Sequence, residues 1–151
     1  MIRKATQEDI FRLCQLKPSL TKEVIKERLT KQNKGEVEFL VLEKNKQIIS
    51  FILLKWFGKG THPDYPDIED LFTRKSYRGK GYATQLIAEC ERKAKEKGFT
   101  KVGLAVNPSL NTYAKRFYEK LGYKHDGKQS YIDGVYNGVE DWCIDMEKPL
   151  I

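Results

Sequence analysis

Arg78-Gly79-Lys80-Gly81 places two glycines and two cations directly ahead of a helical run that begins "YATQLI". Glycine is costly near a helix, so the backbone there does something that a side chain would obstruct. A helix N-terminus presents unpaired N–H groups and the positive end of the helix dipole, and both attract anions. Arg74 and Lys75 lie just upstream, so four cations surround this point. The chemistry suggested is recognition of a phosphorylated ligand. Two phosphate motifs fail on spacing. Gly58-Lys59-Gly60-Thr61 lacks the first glycine of a Walker loop, and Gly60 separates the lysine from Thr61. The GxGxxG fingerprint also fails, because Thr84 follows where its third glycine belongs and no opening βαβ unit surrounds it.

The elements that must position this loop follow from periodicity. Ile2-Arg3-Lys4-Ala5 reads as a short strand, and Thr6 fits an N-cap with Asp9 at the third helical position. A second helix starts near Thr21 and ends by Gly35. "VEFLVLE" and "QIISFILLKWF" read as strands joined by a turn at "KNK". Residues 58–67 form a loop, and "IEDLFT" is the strand that leads into the glycine turn. Ala83, Leu86, Ile87, Cys90 and Ala94 recur at helical spacing. "KVGLAV" is a strand, and Leu110, Ala114, Phe117, Tyr118 and Leu121 mark another helix. A short strand follows near Tyr123, then a loop carrying Gly127, Gly134 and Gly138, then a final strand "DWCIDM". The pattern predicts a mixed α/β domain.

With 151 residues the chain fits one domain, residues 1–151, with a sizeable core. No apolar run approaches a membrane span, and the N-terminus lacks the apolar core of a signal peptide, so the chain reads as cytoplasmic. Cys14, Cys90 and Cys143 are odd in number and widely spaced, so no metal site is expected, and they read as small buried hydrophobes. The net charge of +7 admits nucleic acid, an anionic membrane surface or a phosphorylated small molecule as partner. A nucleic-acid module would interleave cations with exposed aromatics along one face. Here the lysines are scattered among acids, as in "ERKAKEKG".

Arg78-x-x-Gly81-x-Ala83, after a strand and at the start of a helix, resembles the pyrophosphate loop of the GNAT superfamily of acyl-CoA-dependent N-acetyltransferases. "VNPSLNTYAKRFYEKLGY" is similar to its second signature, with Asn111, Ala114, Tyr118, Gly122 and Tyr123 in place. The two motifs cover roughly residues 67 to 123. Lys75 departs from the pattern, standing where the family often has proline. The resemblance implies a central, mixed, mostly antiparallel sheet of about seven strands flanked by about four helices, with splayed strands at the acetyl-CoA site. It implies contacts to the cosubstrate acetyl-CoA from Leu71, Phe72, Thr73, Arg78, Gly79, Lys80, Gly81, Tyr82, Ala83, Asn111 and Tyr118.

The same resemblance gives Tyr118 the role of general acid beside the sulfur, and a phenol is protonated at neutral pH. Its other reading is packing on the helix face with Ala114 and Leu121. Strands like "IEDLF" in the polyamine-acetylating branch carry a glutamate that serves as base, which points to Glu69. Glu69 stands two residues before Leu71, so regular alternation turns both to one face. The alternative for Glu69 is a surface carboxylate paired with a lysine, with Asp67 and Asp70 as substitutes for the base. His62 and His125 are lone histidines in loops. The acceptor is expected against residues 60–68 and 127–138, which carry His62, Asp64, Tyr65, Asp67, Tyr131, Asp133, Tyr136 and Asn137. Polyamines, aminoglycosides, amino acids and protein amines all stay open as acceptors, and a homodimer is compatible with the sequence. The rival functions are a CoA-binding sensor without catalysis and a basic nucleic-acid-binding module.

Overall fold

The computed structural model describes residues 1–151. Its elements are β1 (Ile2–Lys4), α1 (Ile10–Leu16), α2 (Lys22–Asn33), β2 (Val37–Lys44), β3 (Gln47–Lys55), β4 (Asp67–Thr73), α3 (Tyr82–Glu96), β5 (Lys101–Val106), α4 (Thr112–Lys120), β6 (Lys124–His125), β7 (Tyr131–Tyr136) and β8 (Val139–Pro149). Short 3-10 turns at Gln7–Asp9 and Lys75–Tyr77 lead into α1 and the glycine turn. The sheet order is β1-β2-β3-β4-β5-β8-β6, with β7 added alongside β8. Only the β4–β5 pair is parallel, because α3 crosses between them as a right-length connection for parallel strands. No helix is long and apolar enough to cross a membrane.

Each face of the sheet has its own apolar cluster. Leu13, Leu16 and Ile25 of α1 and α2 pack on Phe39, Val41, Phe51 and Leu53. Leu86, Ile87, Cys90 and Ala94 of α3 pack on Leu40, Ile52, Leu54, Ile68 and Leu104 of the opposite face. The alternation of β3 explains the partition, since Phe51 and Leu53 point one way and Ile52 and Leu54 the other. The N-terminal cap is tightly held. Asp9 is buried and accepts from Arg3 at 2.8 and 2.9 Å, from Arg12 at 2.8 Å and from the Thr6 N–H at 2.8 Å.

The sheet has eight strands rather than about seven. Residues 131–136, read as part of a loop because of the glycines at 127, 134 and 138, form β7, which pairs with the start of β8. Asn137, in left-handed conformation, and Gly138 make the tight turn between them. Leu110 lies before α4 and is exposed, so it is not part of that helix.

Two irregularities shape the middle of the sheet. Leu53 pairs with Glu69 and Phe51 with Phe72, so two residues of β4 stand opposite the single residue Ile52. This is a β-bulge, with Asp70 in left-handed conformation at φ 52°. Aspartate tolerates that conformation better than most residues. The second irregularity is a split. β4 and β5 pair only at Asp67–Gly103 and Ile68–Leu104, although both strands run on beyond that point.

Candidate active site

Along β4, the glycine turn and α4 lies a cleft of about 550 Å³. Its walls include Leu71, Phe72 and Thr73 of β4, Arg78, Gly79 and Gly81 of the turn, Tyr82 and Ala83 of α3, and Asn111 and Tyr118. Lys80 is the one expected cosubstrate contact outside the lining; its ammonium stands 5.5 Å from the Tyr77 ring centroid. Tyr77, Thr84, Tyr113 and Phe117 also line the cleft and were not anticipated as contacts. Phe117 registers in the sequence only as a marker of helical spacing. Tyr113 is an aromatic that α4 leaves exposed, which only the structure shows.

The turn is built to present backbone. Gly79 and Gly81 have φ of 75° and 88°, and Gly81 is the N-cap of α3. With no side chain to cap the helix, its first N–H groups point out of the end, and the first paired one is Gln85 N–H to the Gly81 carbonyl at 3.1 Å. Nothing in the protein lies within 4 Å of a side-chain carbon added at either glycine. The glycines therefore serve conformation and an open approach, rather than packing. Arg78 is anchored by Nε donating to the Thr73 carbonyl at 2.8 Å, with its guanidinium 5.2 Å from the Phe72 ring. Converging amides, a helix dipole and a fixed cation suit the pyrophosphate of coenzyme A. The apolar stretch between Leu71 and Phe117 suits its pantetheine arm.

Asn111 has a structural task first. Its Oδ1 accepts from the Ala114 N–H at 3.0 Å and caps α4, which leaves its side-chain NH₂ to meet a ligand. Tyr118 packs against the α3 side of the core and between Phe117 and Tyr123, at ring distances of 5.2 and 5.9 Å. Desolvation pushes its phenol up to about 12, so it stays protonated.

The bulge corrects one geometric expectation. Glu69 and Leu71 do not share a face: Glu69 stands opposite Leu53 on the α1–α2 side, and Leu71 packs on the α3 side. Glu69 lies outside the cleft lining and pairs with Lys55 at 3.2 Å. It is the first residue of β4 past its last pairing with β5. Burial opposes its ionisation, but the neighbouring Asp67 and the Lys55 charge outweigh this and hold it below the usual value. Asp70 is engaged by Lys17 at 2.6 Å and Arg28 at 2.8 Å.

Behind Glu69 the loop of residues 58–66 closes over the sheet. His62 and Tyr65 stack at 4.3 Å, and the Tyr65 hydroxyl donates to Glu147 at 3.0 Å. This stack lies on Gly103, where an added side-chain carbon would sit 2.8 Å from Tyr65 and 3.2 Å from His62. His62 Nε2 meets Asp67 at 2.9 Å, and both side chains are buried. Burial pushes the Asp67 carboxyl well above the usual carboxylate range. Lys59 ties this loop to β7 through Tyr131 at 2.8 Å and Asp133 at 3.0 Å. The two segments expected to hold the acceptor thus meet, yet His62, Tyr65 and Asp67 are internal. Asp64, Asp133, Tyr136 and Asn137 are the exposed members. His125 is a surface residue that meets the Lys128 carbonyl at 2.9 Å. Of the cysteines, Cys90 and Cys143 are buried and Cys14 is half-buried.

Comparison with known proteins agrees with this architecture. Residues 5–123 match the model of the family described as Acetyltransferase (GNAT) family. A curated relative, the uncharacterized N-acetyltransferase YycN of Bacillus subtilis, is 32% identical over 76 residues. That match spans 48% of each chain, so the chain aligns with about half the length of this relative. An N-acetyltransferase structure from Staphylococcus aureus Mu50 superposes with a TM-score of 0.80 at 23% identity, covering 100% of this chain and 98% of the other. The PaiA N-acetyltransferase of Thermoplasma acidophilum, solved in complex with coenzyme A, gives 0.74 at 20% identity, covering 99% and 98%. The chain belongs to the GNAT acetyltransferase family, enzymes whose acyl donor is acetyl-CoA.

Proposed function

We propose that this chain moves an acetyl group from acetyl-CoA to a primary amine by direct attack, with Tyr118 as general acid and Glu69 as base. The observation that carries the reading is the split between β4 and β5, with an anion-binding turn at one end of the adjoining cleft and a protonated phenol along it. Acetyl-CoA supplies the thioester. Arg78 and the amides of the turn and of α3 hold its pyrophosphate, with Leu71, Phe72, Asn111 and Ala83 along its arm. The backbone N–H groups of β4 beyond Ile68 have no partner on β5. Those that point away from β3 are donors for the charge that develops on the carbonyl oxygen. Tyr118 keeps its proton until the sulfur departs and donates it there. Glu69, on the opposite face at the split, takes a proton from the incoming ammonium through water, leaving the neutral amine that attacks.

The test is a panel of polyamines, aminoglycosides, amino acids and peptides with free amino termini, following thiol release from acetyl-CoA. Turnover with at least one amine is expected. Tight acetyl-CoA binding without turnover on any amine points to a CoA-binding sensor instead.

A further inference from the structure

Asp67 is fully buried in the first paired position of β4, at the base of the split. One of its oxygens, Oδ1, meets His62 Nε2 at 2.9 Å. The other, Oδ2, is buried and has no hydrogen-bond partner. An unpaired buried carboxylate oxygen is costly, because it has lost water without replacement. The cost is relieved when that oxygen carries a proton. Glu69 is two residues on, past the last β4–β5 pairing, and alternation places it on the same face of the strand. Its side chain is partly exposed. His62, Asp67 and Glu69 therefore form a line from the interior to the mouth of the split.

We propose that Asp67 and Glu69 act as one base, with Glu69 receiving the acceptor's proton and the buried Asp67 Oδ2 storing it, while His62 positions Asp67. This deepens the reading of Glu69 as base and rests on it. In the resting pair one proton is shared; at higher pH the pair is doubly ionised. The ammonium N–H bond then breaks and a carboxyl O–H bond forms on Glu69. The proton moves to Asp67 Oδ2, and Glu69 is again an anion facing the split. The stored proton leaves to solvent by the same route after the product departs. Two carboxylates in one site do not both ionise at ordinary carboxylate pH, so the pair loses its first proton early and its second nearer neutrality than a lone carboxyl would. A base for an ammonium group works best in that range. The other charges facing the pair are His62 and Lys59 from the loop of residues 58–66 and Lys55 from β3. Asp145 of β8 acts on His62 from behind.

The experiment pairs a titration with a rate profile. Carboxyl ¹³C and imidazole ¹⁵N signals are followed against pH in the wild type and in Glu69→Gln, His62→Gln and Asp67→Asn. Asp67 is expected to titrate above the ordinary carboxylate range, and Glu69→Gln to lower its midpoint by about one pH unit by removing the like charge. His62→Gln is expected to raise it. In kcat/KM profiles with the most active amine of the panel, Asp67→Asn should move the acid limb to lower pH. It should also cost roughly 10-fold or more in rate, with the KM for acetyl-CoA unchanged. An Asp67 midpoint in the ordinary range, or one indifferent to Glu69→Gln, overturns the pair. Rate lost in Glu69→Gln but not in Asp67→Asn leaves Glu69 as a lone base. Full rate in both variants overturns the pair and the base assignment together, while the roles of Tyr118 and the glycine turn stand apart.

Discussion

Glu69 and Tyr118 stand on opposite faces of one sheet, on either side of the place where β4 and β5 part. Glu69 is opposite Leu53 in the layer beneath α1 and α2, and Tyr118 packs in the layer beneath α3. In a continuous sheet the two side chains would be separated by a row of backbone hydrogen bonds. The split removes that row. Under the proposed function, a carbonyl held in it would be open to a nucleophile from one face and to a proton donor from the other.

Tyr118→Phe should bind acetyl-CoA as the wild type does and lose roughly 10²–10⁴-fold in kcat, the range of a general acid. Calorimetry for binding and single-turnover kinetics for the chemical step measure the two separately. Near-wild-type single-turnover rates would leave Tyr118 only its packing role. Because desolvation holds the phenol up to about 12, its deprotonation should produce no alkaline fall in rate between about pH 7 and pH 10.

Gly81→Val should weaken acetyl-CoA binding by roughly 10-fold or more, about 1.4 kcal/mol, while leaving the fold intact. The residue must keep φ near 88°, which strains a β-branched side chain by ~1–2 kcal/mol. No protein atom lies within 4 Å of the added Cβ, so the loss is expected to fall on the ligand approach. Unchanged affinity by calorimetry would move the pyrophosphate elsewhere.

Much of this site is legible in the sequence, and the exceptions share a cause. The glycine turn and α3 are readable because positive φ, cations and helical periodicity all fall within a dozen residues. The Asp70 bulge is not readable, since it is set by how β4 fits β3 across Ile52 and aspartate there has no local signature. β7 was obscured by Gly134, although Asn137-Gly138 is the strongest short hairpin signal a sequence offers. The interior placement of His62 depends on Gly103, some forty residues away, and no local pattern reports it.

Gly103→Ala should lower stability by about 1–3 kcal/mol, read as a fall in Tm. The added carbon would meet Tyr65 at 2.8 Å and His62 at 3.2 Å, and both are fixed by stacking and hydrogen bonds. A second substitution, Tyr65→Ala, should recover part of the loss that Gly103→Ala causes. A Gly103→Ala protein as stable as the wild type would show that the loop shifts freely.

Asp9 should make the fold acid-sensitive. Burial alone would raise its carboxyl, but Arg3, the Thr6 N–H and Arg12 overcome this and hold it down to about 2. A folded value depressed below the unfolded one near 3.8 gives stability that is present above about pH 4 and is lost as pH falls through about 2. The amount is ~2 kcal/mol. Asp9→Asn should lower Tm at neutral pH and flatten its decline between about pH 4 and pH 2. A wild-type slope retained in the variant would assign the acid sensitivity to other carboxylates.

The split also has a mechanical meaning. Hydrogen bonding between the halves of the sheet narrows to the two register pairs Asp67–Gly103 and Ile68–Leu104, with Gly103 N–H to the Pro66 carbonyl beside them. One half carries β1 to β4; the other carries β5, β8, β6 and β7. Under load the protein should therefore tear like perforated paper, along that line first. Anything that bridges the gap acts as a rivet.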